Sequence, residues 1–255
     1  MCMSEIKQKK ISKHSQFWDK FTFISFVLLI VAGICLTASI FFQKKYFDYF
    51  FVNGQSMYPT LNLHATNSRG VEYKEFGPSV EKGSKHVDYG FYDRHQTAIN
   101  SVKRFDIIIC KYYDEDVSEK IKRVIVMPGE TFYIDLSKEN YGKLYIQNKN
   151  GEFEYVEQPI DCSKGSYAGY GKPTTLQKDE YFVMGDNRNH STDSRINGPI
   201  KKHNIDGKVV GLVGECEIGY KDSSYYPSKI DYYTPRYLWW TIQYIGIQGI
   251  WKKPK

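Results

Sequence analysis

Little in this sequence invites a metal centre or a disulfide framework. Its five cysteines, Cys2, Cys35, Cys110, Cys162 and Cys216, form no CxxC pair, which argues against zinc-ribbon and thioredoxin chemistry. An odd, scattered set is no disulfide scaffold, and at most one bridge, Cys162 with Cys216, stays open. No carboxylate run has the EF-hand spacing, so neither a metal nor an organic cofactor is expected. The six histidines, His14, His64, His86, His95, His190 and His203, stand in no recognisable triad context. A net charge of +6 comes without an RNA- or DNA-binding signature, so nucleic acid is not an expected partner. No internal repeat is visible, and amphipathic helical periodicity is scarce between Gly54 and Tyr220.

What the chain does have is aromatic residues, 22 Tyr and 15 Phe in 255 positions, and these favour strands. Strand-like runs recur at 46–52, 105–113, 121–127, 131–135, 143–147, 153–158, 180–184 and 208–213, bounded by Gly, Pro, Asn and Asp. The expected fold class is mainly β: an antiparallel β-sheet domain preceded by one N-terminal transmembrane α-helix. Residues 64–103 are polar and poorly patterned and read as a long loop or insertion. Residues 161–177 read as another loop.

The membrane helix is expected over 21–42, FTFISFVLLIVAGICLTASIFF, 22 residues without a charge. A bilayer-spanning helix needs about 20. A cleaved secretory signal has a shorter apolar core followed by a small-x-small site. Here apolar residues continue past Thr37-Ala38-Ser39 to Phe42, so a retained anchor is expected. Five lysines precede the span (Lys7, Lys9, Lys10, Lys13 and Lys20) and two follow it (Lys44 and Lys45). The positive-inside rule then places 1–20 in the cytoplasm and 43–255 outside, with a single pass through the plasma membrane. Lysines at both chain ends suit an anionic bilayer surface. The aromatic segment 237–251 is too short for a second span, and core packing and a membrane-interface position both stay open for it.

Chemistry concentrates in three blocks. In the first, 54–61, Ser56 follows a strand and Gly54 and precedes Tyr58-Pro59, whose ring restricts both residues. A serine on such a corner can present its hydroxyl and its own N–H to a carbonyl, although taken alone it reads first as an ordinary turn serine. In the second, 122–130, strand alternation puts Lys122 on the face of Val124 and Val126, with Arg123 opposite. An exposed lysine titrates near about 10.4 and is protonated at neutral pH. An apolar pocket lowers that value and frees the amine to act as a base. The third, 185–195, is dense in Asn, Asp, Ser and Arg, and by composition alone it reads as a solvated turn.

Gly54-Gln55-Ser56-Met57-Tyr58-Pro59-Thr60-Leu61 resembles the nucleophile box of bacterial type I signal peptidases. Lys122-Arg123-Val124-Ile125-Val126-Met127-Pro128-Gly129-Glu130 resembles their base box, and 185–195 their third box. Residues 104–109 resemble the strand before the base. The resemblance implies a membrane-bound serine endopeptidase with Ser56 as nucleophile and Lys122 as general base. It implies Gly54, Met57 and Arg123 as supporting residues, with Asp186 pairing with Arg123. Ser191 is expected to orient the Lys122 amine, and Asp193 and Arg195 to form an ion pair. The implied substrates are signal peptides of exported preproteins, cut after small residues of the Ala-x-Ala type. The bilayer is an implied partner, and the secretion translocon stays open as another. Gly54 stands where some members carry a hydroxyl, so the Ser56 N–H is expected to meet the oxyanion. Two alternatives compete. A self-cleaving repressor peptidase shares the dyad but lacks the span, and a pilus-type assembly factor binds substrates without cutting.

Overall fold

The computed structural model describes residues 3–62, 87–115, 118–221 and 224–232. The segment 237–251 lies outside the described residues, as does 64–86 of the 64–103 stretch. The chain divides into two compact units, 1–46 and 47–255.

The first unit is one helix, α1, Met3–Tyr46. Within it Lys20–Ala38 is long and apolar enough to cross a membrane, and none of it is buried against protein. Its few hydroxyls are satisfied inside the helix: Thr22 Oγ1 donates to the Trp18 carbonyl at 2.9 Å and Ser25 Oγ to that of Phe21 at 2.9 Å. A hydrocarbon surrounding requires such internal pairing. This N-terminal apolar helix is consistent with a membrane anchor.

The second unit is built from β1 (Phe47–Phe51), β2 (Val87–Asp93), α2 (Gln96–Asn100), β3 (Ile107–Cys110), β4 (Lys120–Val126), β5 (Thr131–Ile134), β6 (Leu144–Gln147), β7 (Phe153–Val156), β8 (Thr174–Thr175), β9 (Glu180–Met184), α3 (Ser194–Asn197), β10 (Ile200–Lys201), β11 (Ile205–Lys221) and β12 (Ser224–Tyr232). One sheet runs β1-β2-β11-β3-β4-β9-β10, with β12 also paired to β11; a second runs β7-β6-β5-β8. Every pairing is antiparallel. The mainly β, antiparallel class read from the aromatic and β-branched runs is the observed one.

Three apolar clusters hold this unit. Phe132, Ile134, Leu144 and Ile146 of the small sheet pack on Ile125, Phe182 and Met184 of the large one. Ile108, Cys110, Val124, Val183, Ile200 and Ile205 form a second cluster. The third joins Phe50, Val52, Met57 and Leu61 to Ile107, Ile109 and Leu212. Each large apolar side chain so buried contributes about 1.5–3 kcal/mol. Through the third cluster, Met57 and Leu61 root the turn that carries Ser56 in the sheet.

Several elements depart from the sequence expectation. Val87–Asp93, inside the stretch expected to be a loop, is β2, bonded to β1 on one side and β11 on the other. It is buried almost throughout, Asp88 and Gly90 included, which its surrounding polar sequence gives no reason to expect. Strand β11 extends well beyond 208–213 at both ends, and shifts of register between Val209 and Gly211 and between Leu212 and Gly214 break its alternation. Cys162 and Cys216 are free thiols, which closes the question of a bridge between them.

Candidate active site

Ser56 lies in a turn between β1 and Asn62, and Lys122 lies in the middle of β4. Lys122 Nζ stands 2.9 Å from Ser56 Oγ, across 66 positions of sequence. The amine also donates to the Ile121 carbonyl at 2.9 Å. Strand β4 is paired on both sides, Lys122 facing Ile108 of β3, so its side chain leaves the sheet among the apolar residues of the Cys110–Val124 cluster. Only 4% of Lys122 is exposed. Burial is the leading influence on its titration, and although Cys110 and Asp193 pull the other way, its pKa is held below 10.5. Depleting water around an ammonium favours the neutral amine.

Arg123, next along β4, is fully buried. Its Nε and Nη2 donate to the two carboxylate oxygens of Asp186 at 2.8 and 2.6 Å, and Nη1 donates to the Phe105 carbonyl at 2.8 Å. A fork of this kind is the strongest geometry a guanidinium offers a carboxylate. It ties β4 to the start of the third block. Arg104 braces the end of β4 and the turn after it, donating to the Ile125 carbonyl and to Glu130 Oε1.

The third block folds as a loop after β9 and is held by its own charges. Arg195 Nε and Nη2 donate to Asp193 Oδ1 and Oδ2, each at 2.8 Å, and Arg195 Nη1 donates to the Arg188 carbonyl at 2.7 Å. Asp193 Oδ2 also accepts the Gly185 N–H at 2.9 Å. Burial works to raise the Asp193 pKa, but the Arg195 hydrogen bonds and charge outweigh it and hold the carboxyl below its ordinary value. The loop touches the Ser56 turn directly: the Asn187 N–H donates to the Ser56 carbonyl at 3.0 Å.

The expected hydrogen bond from Ser191 to the Lys122 amine is not formed. Ser191 Oγ is buried with no hydrogen-bond partner among the described residues, and it occupies the space a side chain on Gly185 would fill, 2.3 Å from where that Cβ would sit. The amine's own bonds go to Ser56 and Ile121 instead. Met57 is wholly buried in the Phe50–Leu212 cluster, so it acts by packing. Gly54 has φ +135°, a conformation L side chains rarely adopt. A hydroxyl-bearing side chain at this backbone would be strained, though no neighbour within 4 Å would block it. Ser56, Lys122, Arg123, Asp186, Asp193 and Arg195 therefore lie in one connected constellation. A cavity of about 270 Å³ adjoins it at Asp186, lined also by Tyr58, Pro59, Ile160, Asn187 and His190 and by neither Ser56 nor Lys122. No cluster of ligands suited to a metal ion occurs among the described residues.

Sequence reasoning missed Asn62 and Asp88, both buried beside the Ser56 turn, and the steric role of Gly185. No local pattern marks Asn62 and Asp88, because they meet across 26 positions.

Residues 21–213 match the family described as Signal peptidase, peptidase S26. Signal peptidase I V of Bacillus subtilis (strain 168) is 32% identical over 168 residues, covering 62% of this chain and 91% of that protein. Signal peptidase I of Leptolyngbya laminosa is 30% identical over 167 residues, covering 63% of this chain and 65% of that one. A crystal structure of a signal peptidase I from Enterococcus faecalis V583 is 29% identical and covers 42% of this chain and 96% of its own, with a TM-score of 0.31. The matched stretch takes in the apolar helix, the Ser56 turn, the Lys122 strand and the third block, and this chain belongs to the S26 signal peptidase I family.

Proposed function

We propose that the protein is a membrane-bound serine endopeptidase that removes signal peptides from exported preproteins through a Ser56–Lys122 dyad and an acyl-enzyme. The observation that carries the reading is the 2.9 Å separation of Ser56 Oγ and Lys122 Nζ, with the amine buried and its pKa lowered by that burial. With the Lys122 amine neutral, one N–H donates to the Ile121 carbonyl and the lone pair faces the Ser56 hydroxyl. As Oγ attacks the scissile carbonyl, its proton passes to Nζ. The oxyanion meets the Ser56 N–H, which has no acceptor among the described residues. Protonated Lys122 then gives the proton to the leaving amine, and water hydrolyses the ester with Lys122 again as base.

In this reading 1–20 lies in the cytoplasm, 21–42 spans the plasma membrane and 43–255 acts outside it. A substrate whose apolar segment lies in the same bilayer reaches the enzyme by lateral diffusion. Cleavage follows small residues at the first and third positions before the cut.

Purified full-length protein in detergent, incubated with a labelled preprotein, should release the mature chain with its N-terminus immediately after an Ala-x-Ala type sequence. Ser56→Ala and Lys122→Arg should each abolish the cut, the latter because arginine keeps its proton in a protein. Binding without cleavage by the parent protein would support a non-cutting assembly factor instead, and activity surviving either substitution would reject the dyad.

A further inference from the structure

Three consecutive carbonyls around the nucleophile are each held by a different donor. The Gly54 carbonyl accepts from Asn62 Nδ2 at 3.0 Å. The Gln55 carbonyl accepts from the Tyr58 N–H at 3.0 Å, and the Ser56 carbonyl from the Asn187 N–H at 3.0 Å. The Gln55 carbonyl shares its peptide plane with the Ser56 N–H, so orienting one orients the other. The turn's own backbone and the third block supply two of these three donors. The first comes from a side chain outside the three motif blocks.

Asn62 is built for that task. It is 3% exposed, and its φ of +61° is a left-handed value that asparagine tolerates better than most residues. Its Nδ2 reaches both the Val52 carbonyl at 2.7 Å and the Gly54 carbonyl at 3.0 Å. Its Oδ1 accepts the Asp88 N–H at 2.9 Å, and its own N–H donates to Asp88 Oδ2 at 2.7 Å. Both amide atoms and the backbone N–H are thus used, and Asp88, itself buried, belongs to β2 in the large sheet. The Ser56 turn is closed at its base by a reciprocal pair of hydrogen bonds to a sheet strand.

We propose that Asn62, locked to Asp88, is a positioning residue that fixes the Gly54–Gln55 peptide and, through it, the direction of the Ser56 N–H and hydroxyl. This rests on the peptidase reading for its catalytic consequence, but its structural consequence stands apart. Neither residue touches the reacting atoms, so loss of Asn62 acts on the chemical step and leaves recognition of the peptide in place.

Asn62→Gly keeps the left-handed backbone and the N–H to Asp88 while deleting the donor to Gly54. With preprotein as substrate, below the temperature at which unfolding begins, kcat should fall about 10- to 100-fold, the scale of a misplacement near 1 Å. KM should stay within about twofold, since the recognition surfaces are unchanged. Amide hydrogen exchange over residues 54–57 should accelerate in the same variant. Ile146→Ala in the small sheet, a core change of similar cost away from the turn, should lower Tm and leave kcat and that exchange unaltered. If Asn62→Gly does not fold, Asn62→Asp supplies a second reading. It keeps size and backbone, faces Asp88, and can donate to Gly54 only when protonated, so its kcat relative to the parent should rise toward acid. Wild-type kcat with unchanged exchange in Asn62→Gly overturns the proposal, as does a flat kcat ratio across pH in Asn62→Asp. A parent protein that cuts no preprotein overturns the peptidase reading instead, and exchange at 54–57 still decides whether Asn62 holds the turn.

Discussion

Lys122→Met removes the amine and keeps a side chain of similar volume. It should abolish cleavage and at the same time make the folded protein more stable at neutral pH. The amine is 4% exposed, its acceptors are one hydroxyl and one carbonyl, and no carboxylate stands within ion-pair distance of it among the described residues. Burial lowers its pKa below the 10.5 it has in the unfolded chain, against opposing pulls from Cys110 and Asp193. Between the folded and unfolded values the unfolded chain therefore binds the extra proton, and stability must rise with pH across that window. The cost of Lys122 is complete below its folded-state pKa and fades as pH climbs toward 10.5. Methionine carries no such cost, and replacing buried ionic groups by apolar side chains of like volume stabilises by about 1–4 kcal/mol. For a domain of this size that is about 2–16 °C in Tm, at about 2–4 °C per kcal/mol. Thermal unfolding of the two proteins in the same detergent, followed by circular dichroism from about pH 6 to about pH 10, measures the difference directly. The advantage of the Met protein should be largest at the acid end and shrink steadily with pH. A Met protein less stable than its parent at the acid end, or a gap that does not change with pH, would refute the claim that the amine is held uncharged by burial.

Asp186→Ala leaves the Arg123 guanidinium buried without its fork and should cost about 3–5 kcal/mol, about 6–20 °C in Tm. Arg123→Met with Asp186→Leu should recover much of that loss, and equal melting of single and double variants would show the pair is not desolvated. Gly185→Ala would set a methyl 2.4 Å from the Ser56 carbonyl and 2.3 Å from Ser191 Oγ; kcat should drop at least about tenfold, and full activity would mean the turn and the third block can part without harm. His190 is exposed on that block, and His190→Ala should retain most of the cleavage rate in the preprotein assay, a complete loss pointing to a histidine base.

The resemblance of their motif blocks singled out Ser56 and Lys122; local pattern alone reads the first as a turn serine and the second as one lysine of the exposed set Lys111, Lys120 and Lys122. Alternation set Arg123 on the face opposite Lys122. It could not tell that this face is interior too, since β4 is bonded to β3 and β9 and covered on both sides. The same double covering hid β2: its Asp88–Gly90–Tyr92 face is buried along with the other, and its neighbours in sequence are polar. Strand β12 was obscured differently. Pro227 discourages a strand reading, yet in the sheet it sits next to a register shift at Glu217 and Ile218, where a missing N–H is tolerated.

The clamp of Asn62 on Asp88 shows what kind of information a single sequence withholds. Nothing distinguishes Asn62 from any turn asparagine until β2 is in place, because its partners are the carbonyls of Val52 and Gly54 and the backbone and carboxylate of Asp88. Backbone carbonyls have no letter in the sequence. The Ser191 expectation failed for a related reason: whether its hydroxyl reaches Lys122 or folds back over Gly185 depends on a rotamer and on an absent Cβ. A motif thus names the groups that react, and the three-dimensional accounting of donors and acceptors identifies the groups that hold them still. If Asn62→Gly loses turnover while Ile146→Ala does not, that accounting has located a functional residue that the motif blocks pass over.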